Sequence, residues 1–241
     1  MKFTSMRSLL IIILSAPFLL SGIYMPASSK TVLKDVLPTS SVVKSEAEIL
    51  YDSLGLQKIG LNKKAFLFAW KGYTSLLNSG KISKSVLSIC DFSQSSRKKR
   101  LYVLDLNSKR ILMNTYVAHG RNSGGEFARN FSNKPESFKS SLGFFVTRNT
   151  YVGNNGLALK MVGLEKGIND LADERRIVVH GSTYVSASYL KTNHKIGRSL
   201  GCPAVPEKEI NKLVRNIKGG SCFFIYHPTR NYLQKSRILN S

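Results

Sequence analysis

From Arg100 onward the apolar residues of this chain recur with a period of two, and before it they recur with the period of a helix. Period two sends alternate side chains to opposite faces of a pleated strand, whereas 3.6 gathers them on one side of a helix. A chain that makes this switch once reads as α+β, with helices first and a mostly β region after them. Leu101–Leu106 and Arg110–Ala118 are two β-rich runs joined through Asn107-Ser108-Lys109, a hairpin-length connection. Gly143–Tyr151, Leu157–Leu164, Arg176–His180 and Ser221–His227 are further strand-like runs.

The helical signals are local and of familiar kinds. Ser45-x-x-Glu48 has the form of a capping box ahead of Ile49, Leu50 and Leu54. Asn62 opens a stronger helix whose apolar positions Ala65, Phe66, Ala69, Trp70, Tyr73, Leu76 and Leu77 share one face, with Gly80 at its end. Between the last two strand runs, Pro206–Ile217 is a helix with Glu207 and Glu209 early, Lys218 at its end and an apolar stripe of Ile210, Leu213, Val214 and Ile217. The expected division is 1–29 export segment, 30–44 linker, 45–99 helical portion, 100–228 mostly β domain and 229–241 C-terminal tail.

Residues 1–29 do not read as folded domain. Lys2 and Arg7 precede an uncharged stretch whose apolar core, Leu9 to Leu20, has signal-peptide length and is shorter than the roughly 20 residues a membrane span needs. Ala27, Ser28 and Ser29 place cleavage near Ala27, and no cysteine is there to carry a lipid. An uncleaved anchor is the alternative; in both readings the remainder is exported, to the periplasm or cell envelope of a bacterium, with no stable membrane span after cleavage.

Removing 1–29 leaves 34 basic against 14 acidic residues, a mature charge of +20. Such a field draws anionic polymers. The basic residues are scattered rather than gathered on one helix, which argues against nucleic acid and for anionic cell-envelope polymers as partners. The run Arg97-Lys98-Lys99-Arg100 reads as a solvated loop before a strand. Cys90, Cys202 and Cys222 are an odd number, so at least one thiol stays unpaired; a Cys90–Cys222 bridge needs their strands to be neighbours.

The chemistry concentrates between Arg176 and Pro203. Ile177-Val178-Val179 is a buried-strand run ending in His180-Gly181, which places the imidazole at a strand end, on the rim of the core. Further on, Ser199-Leu200-Gly201-Cys202-Pro203 sets a cysteine in a glycine-containing turn, where backbone N–H groups can converge on one point as an oxyanion hole requires. A thiolate is the nucleophile, and a neighbouring imidazole can take the thiol proton and return it to a leaving amine. A buried structural cysteine and a hydrogen-bonded structural histidine are the plain alternatives. A zinc site from His119, His180, Cys202 and His227 lacks a close-spaced ligand pair, so neither metal nor cofactor is expected.

His180-Gly181, seventeen residues, then Ser199-Leu200-Gly201-Cys202 resembles the signature of the L,D-transpeptidase catalytic domain of the YkuD type, in its divergent murein branch. Cys90-Asp91-Phe92-Ser93, Ala118-His119-Gly120-Arg121-Asn122, Gly163-Leu164-Glu165 and Gly197-Arg198-Ser199 extend the resemblance, which covers roughly residues 45 to 228. It implies a mixed β-barrel or sandwich-like domain with Cys202 as nucleophile, His180 as base, Ser199 orienting the site, and the backbone of Gly201 and Cys202 receiving the oxyanion. Implied substrates are tetrapeptide stems of peptidoglycan, their acyl group passing to an amine in transpeptidation or to water in carboxypeptidase or endopeptidase action. A non-catalytic wall-binding module on the same fold is the rival from another class. A papain-like peptidase fits less well, because here the His precedes the Cys. The sequence departs from the commoner pattern at Leu200, where His is frequent, and at Pro203-Ala204, where an Arg is expected to hold a substrate carboxylate. Arg198 is the candidate replacement, and His119 is expected to line the same cleft.

Overall fold

A computed structural model describes residues 44–154 and 156–241. The export segment 1–29 and the linker up to residue 43 lie outside them.

Helix α1 (Glu46–Ser53) begins as its capping box dictates: the Ser45 hydroxyl accepts from the Glu48 N–H, and the Glu48 carboxylate accepts from the Ser45 N–H. The Asn62 side chain caps helix α2 (Lys63–Asn78) by accepting from the Lys64 and Ala65 N–H groups. Ala65, Phe66, Ala69, Tyr73 and Leu76 of α2 are buried. Removing Phe66 and Leu76 from water stabilises the fold by about 1.5–3 kcal/mol each. Gly72 lets this helix lie flush on the sheet, since a Cβ there would fall 2.0 Å from the Phe144 ring.

The sheet begins earlier than the sequence suggests. Strand β1 (Val86–Asp91) lies inside the segment 45–99 expected to be helical. It is an interior strand, parallel to one neighbour and antiparallel to the other, and Leu87 through Asp91 are all buried. With both faces covered it has no solvent side and so no alternation to read. Strands β2 (Leu101–Asp105) and β3 (Arg110–Thr115) form the expected hairpin. Then β4 (Gly143–Gly153) and β5 (Gly156–Gly163) form a long antiparallel pair, exposed along β4 from Arg148 to Val152. Strand β6 (Val178–Ser182) follows, then a short helix α3 (Ala187–Asn193), strand β7 (Ala204–Pro206), helix α4 (Ile210–Ile217) with its stripe buried, and strand β8 (Cys222–Tyr226).

All eight strands join one sheet in the order β3-β2-β1-β8-β4-β5-β6-β7. Its edges approach each other where Ala118, just past β3, exchanges hydrogen bonds with Ala204 of β7: N–H to O at 2.8 Å and the reverse at 3.4 Å. The sheet thereby curls into a nearly closed barrel behind N-terminal helices, the architecture expected.

The C-terminal stretch set aside as a tail is ordered: α5 (Arg230–Lys235) and α6 (Arg237–Asn240) pack back on the domain, with Tyr232 and Leu239 buried. They are tied down by Glu165, a buried carboxylate that accepts from the Phe144 N–H at 2.7 Å, the Tyr232 hydroxyl at 3.3 Å and the Ser236 hydroxyl. Cys90 and Cys222 do sit on neighbouring strands, β1 and β8, but three residues out of register. At about 3.3 Å per residue that offset is about 10 Å, too far for a bridge, and both thiols are free. No helix among the described residues is long and apolar enough to cross a membrane.

Candidate active site

His180 occupies the middle of β6 rather than its end, because the strand runs on to Ser182 through parallel pairing with β7. Three residues long, β7 leaves no period in the sequence. His180 stands opposite Ala158 on one side and Ala204 on the other, two small neighbours that leave room for its ring. Nδ1 lies 2.9 Å from the Gly181 carbonyl. A carbonyl only accepts, so Nδ1 carries a proton and, in the neutral ring, Nε2 holds the lone pair; Nε2 has no hydrogen-bond partner among the described residues.

Cys202 is two residues before Ala204, the cross-strand partner of His180, and its side chain reaches the start of β6, the strand that bears His180. Its Sγ accepts from the Val178 N–H at 3.5 Å and donates to the Arg176 carbonyl at 3.7 Å. Burial pushes the thiol up from its ordinary value; the Val178 N–H and the charge of Arg175 pull the other way.

The turn that carries Cys202 is stapled by Ser199. Its hydroxyl donates to the Cys202 carbonyl at 2.6 Å and accepts from the Gly201 N–H at 3.1 Å. Gly201 has φ +128°, and a Cβ there would stand 3.0 Å from the Lys139 carbonyl and 3.2 Å from Ile177. Its own carbonyl accepts from the Ser140 hydroxyl at 3.1 Å. The resemblance implied the Gly201 and Cys202 N–H groups as oxyanion donors, and in this structure they differ in their partners. The Gly201 N–H is occupied by Ser199, and the Cys202 N–H is the donor of the pair that no other described residue uses.

Both residues open on a cleft of about 470 Å³ whose walls include Tyr151, Arg175, Arg176, Tyr184, Arg198 and Leu200. Its lining carries three arginines and no carboxylate, so it suits an anionic ligand. Arg198 is there, exposed, its Nη1 donating to the Arg121 and Gly124 carbonyls at 3.2 and 3.1 Å. His119 is not. Its ring is sealed behind the motif, held between Arg100 and the Gly124 carbonyl, and its role at the site runs through its backbone oxygen, which accepts from the Ser199 N–H at 3.0 Å. Arg100 itself corrects the reading of the basic run: Arg97, Lys98 and Lys99 are solvated, while Arg100 is fully buried.

Arg175 lines the cleft although no motif in the sequence marks it. Its guanidinium donates through Nη1 to the Ser132 carbonyl at 2.6 Å and through Nη2 to the Lys139 carbonyl at 2.6 Å, clamping the 132–139 segment against the turn that bears Cys202. The one hint in the sequence is an arginine doublet abutting the buried strand that bears His180. Of the four residues of the zinc alternative only His180 and Cys202 share a cleft: His119 bonds Arg100, His227 packs on Phe131, and no cluster of three His, Cys, Asp or Glu among the described residues could hold a metal.

The family model described as L,D-transpeptidase catalytic domain matches residues 57–226. Similar solved structures include an L,D-transpeptidase from Mycobacterium smegmatis, at 12% identity over 59% of this chain and 59% of that one, with a TM-score of 0.36. An L,D-transpeptidase from Xylanimonas cellulosilytica matches at 15% identity over 74% of this chain and 93% of the other, with a TM-score of 0.34. The helical cell shape determining protein Pgp2 from Campylobacter jejuni matches at 12% identity over 66% and 57%, with a TM-score of 0.37. The chain thus spans less than two thirds of the length of the first and third of these. No curated protein matches it.

Proposed function

The chain belongs to the L,D-transpeptidase catalytic domain family, whose members act on peptidoglycan stem peptides at the cell wall, and on that premise we propose that it is an exported cysteine acyltransferase of tetrapeptide stems. Cys202 is the nucleophile and His180 its base. The observation that carries this reading is the placement of both residues on one cleft, with Nδ1 of His180 held by the Gly181 carbonyl and Nε2 left as the available base.

In the reaction, the Cys202 side chain turns from the Arg176 carbonyl and gives its proton to Nε2 of His180. The thiolate attacks the carbonyl of the third stem residue, forming a C–S bond. The C–N bond to the fourth residue then breaks, and the imidazolium protonates the departing amine. Negative charge on the tetrahedral oxygen is met by the Cys202 N–H; one such donor lowers the barrier by about 3 kcal/mol. An amine of a second stem attacks the thioester and completes a 3-3 cross-link, or water attacks and the outcome is hydrolysis. The arginines of the cleft, Arg198 and Arg176 exposed among them, supply the carboxylate partner that the missing arginine after Cys202 would otherwise provide.

The test is intact-mass spectrometry of the mature protein incubated with tetrapeptide-stem muropeptides, beside Cys202→Ala. An acyl adduct confined to the protein with Cys202 is expected, and its products separate transfer to amine from hydrolysis. A folded protein that forms no adduct and no product with several stems is instead a wall-binding module.

A further inference from the structure

A second cavity, of about 320 Å³, lies between the segment from Arg129 to Lys139, the turn at Gly167-Ile168 and the C-terminal stretch from Thr229 to Lys235. Arg129, Lys139 and Lys235 line it, and no carboxylate does. Among the described residues none of these three side chains forms an ion pair or a side-chain hydrogen bond, and the amides of Asn130 and Asn231 beside them are equally unengaged. The acids nearby are committed elsewhere. Asp170 accepts from Asn133 at 2.7 Å and from the Gly167 N–H at 2.8 Å, and Glu165 is buried under Tyr232 and Ser236. Three cations that form no ion pair, flanked by amides that both donate and accept, describe a receptor for an oxyanion set among hydroxyls.

We infer that this cavity anchors a carboxylate or phosphate group of a hydroxyl-rich wall polymer, independently of the thiol chemistry. It is separate from the catalytic cleft but shares a wall with it. Ser132 and Lys139 line the cavity, and their carbonyls are the acceptors of Arg175, which lines the cleft. A polymer held there leaves the cleft open to a stem peptide.

The test uses two polymers without stem peptides, so that the cleft has nothing to act on. One is poly(glycerol phosphate); the other is peptidoglycan glycan strands stripped of peptide, whose lactyl carboxylates are free. Their affinities are measured calorimetrically for the wild-type protein and two triple variants. The first is Arg129→Gln, Lys139→Gln and Lys235→Gln. The second removes the same charge from another basic hollow by Lys84→Gln, Arg148→Gln and Lys218→Gln. The first should lose at least about tenfold in affinity, as expected when even one charge-assisted contact goes, and the second less than about twofold. The polymer that shows the loss identifies phosphate or carboxylate as the anion. Should the first triple variant melt early, Lys235→Glu alone, at an exposed position, should still weaken binding about tenfold. Equal losses in both triple variants, which indicate diffuse net charge, overturn the inference, as does a wild-type protein that binds neither polymer.

Discussion

The Nη2 of Arg100 donates to Nδ1 of His119 across 2.8 Å, and neither side chain reaches solvent. A guanidinium only donates, so Nδ1 must present its lone pair, and the imidazole proton resides on Nε2, which donates to the Gly124 carbonyl at 3.3 Å. Arg100 is held in turn by the Val117 and Gln94 carbonyls and lies over the Phe92 ring, 4.8 Å from its centroid. This pair sits directly behind the Cys202 turn, because the His119 carbonyl holds the Ser199 N–H, and Arg198 shares the Gly124 carbonyl with His119.

Burial first, and the charge of Arg100 second, pull His119 down to about 3. The unfolded chain therefore takes up a proton near pH 6.5 that the folded chain refuses until about pH 3. The contribution of His119 is complete above pH 6.5 and is lost progressively as pH falls toward 3, by up to about 1.4 kcal/mol per pH unit. Denaturant unfolding of wild type and His119→Gln across that window should show a shallower pH slope in the variant. Parallel slopes would show that His119 does not titrate in this way.

Cys202 should be the one thiol open to alkylation in the native protein. Burial holds Cys90 and Cys222 far above the ordinary thiol range and removes them from solvent, whereas Cys202 borders the cleft. Native labelling should add one probe to the wild type and none to Cys202→Ala, and unfolding should raise the wild-type count to three. Two or more labels under native conditions would contradict the placement of the buried pair.

Arg175→Gln removes the charge that opposes the burial of the Cys202 thiol and loosens the clamp on Ser132 and Lys139. The pH profile of Cys202 alkylation should move to higher pH, with the rate at neutral pH falling several-fold and recovering in alkali. A purely structural role would lower the melting temperature and leave that profile in place.

Gly201→Ala asks an L-residue to adopt φ +128° with its Cβ 3.0 Å from a backbone carbonyl. Strain of this kind costs about 1–3 kcal/mol, and relieving it displaces the turn that bears Cys202. Acyl-adduct formation should fall more than a hundredfold while the protein remains folded at 25 °C. Retained adduct formation would mean that the turn geometry is not needed.

Arg198→Ala should raise the concentration of stem peptide needed for half-maximal rate by about tenfold, the value of one charge-assisted contact, with little change in kcat. The residue is exposed and its two acceptors are backbone carbonyls of a surface segment, so stability should hardly move. Unchanged apparent affinity removes Arg198 from substrate binding and leaves Arg175 and Arg176 to supply the charge.

Features made of neighbouring residues were legible in the sequence by itself. The capping box at Ser45, the Asn62 cap, the buried face of α2, the β2–β3 hairpin, the stripe of α4, and the cysteine turn with its histidine on a strand all depend on short spacings. Tertiary structure decided what depends on distant partners. Strand β1 carries no alternation because both its faces are covered, and β7 exists only through its pairing with β6 and Ala118. His119 and Arg100 read as cleft and surface residues until the barrel encloses them together. Arg175 takes its role from carbonyls 36 and 43 residues away, and the Gly201 N–H is unavailable because the Ser199 hydroxyl folds back onto it. Burial and hydrogen bonding between remote segments are properties of the closed sheet, and no local period or spacing encodes them.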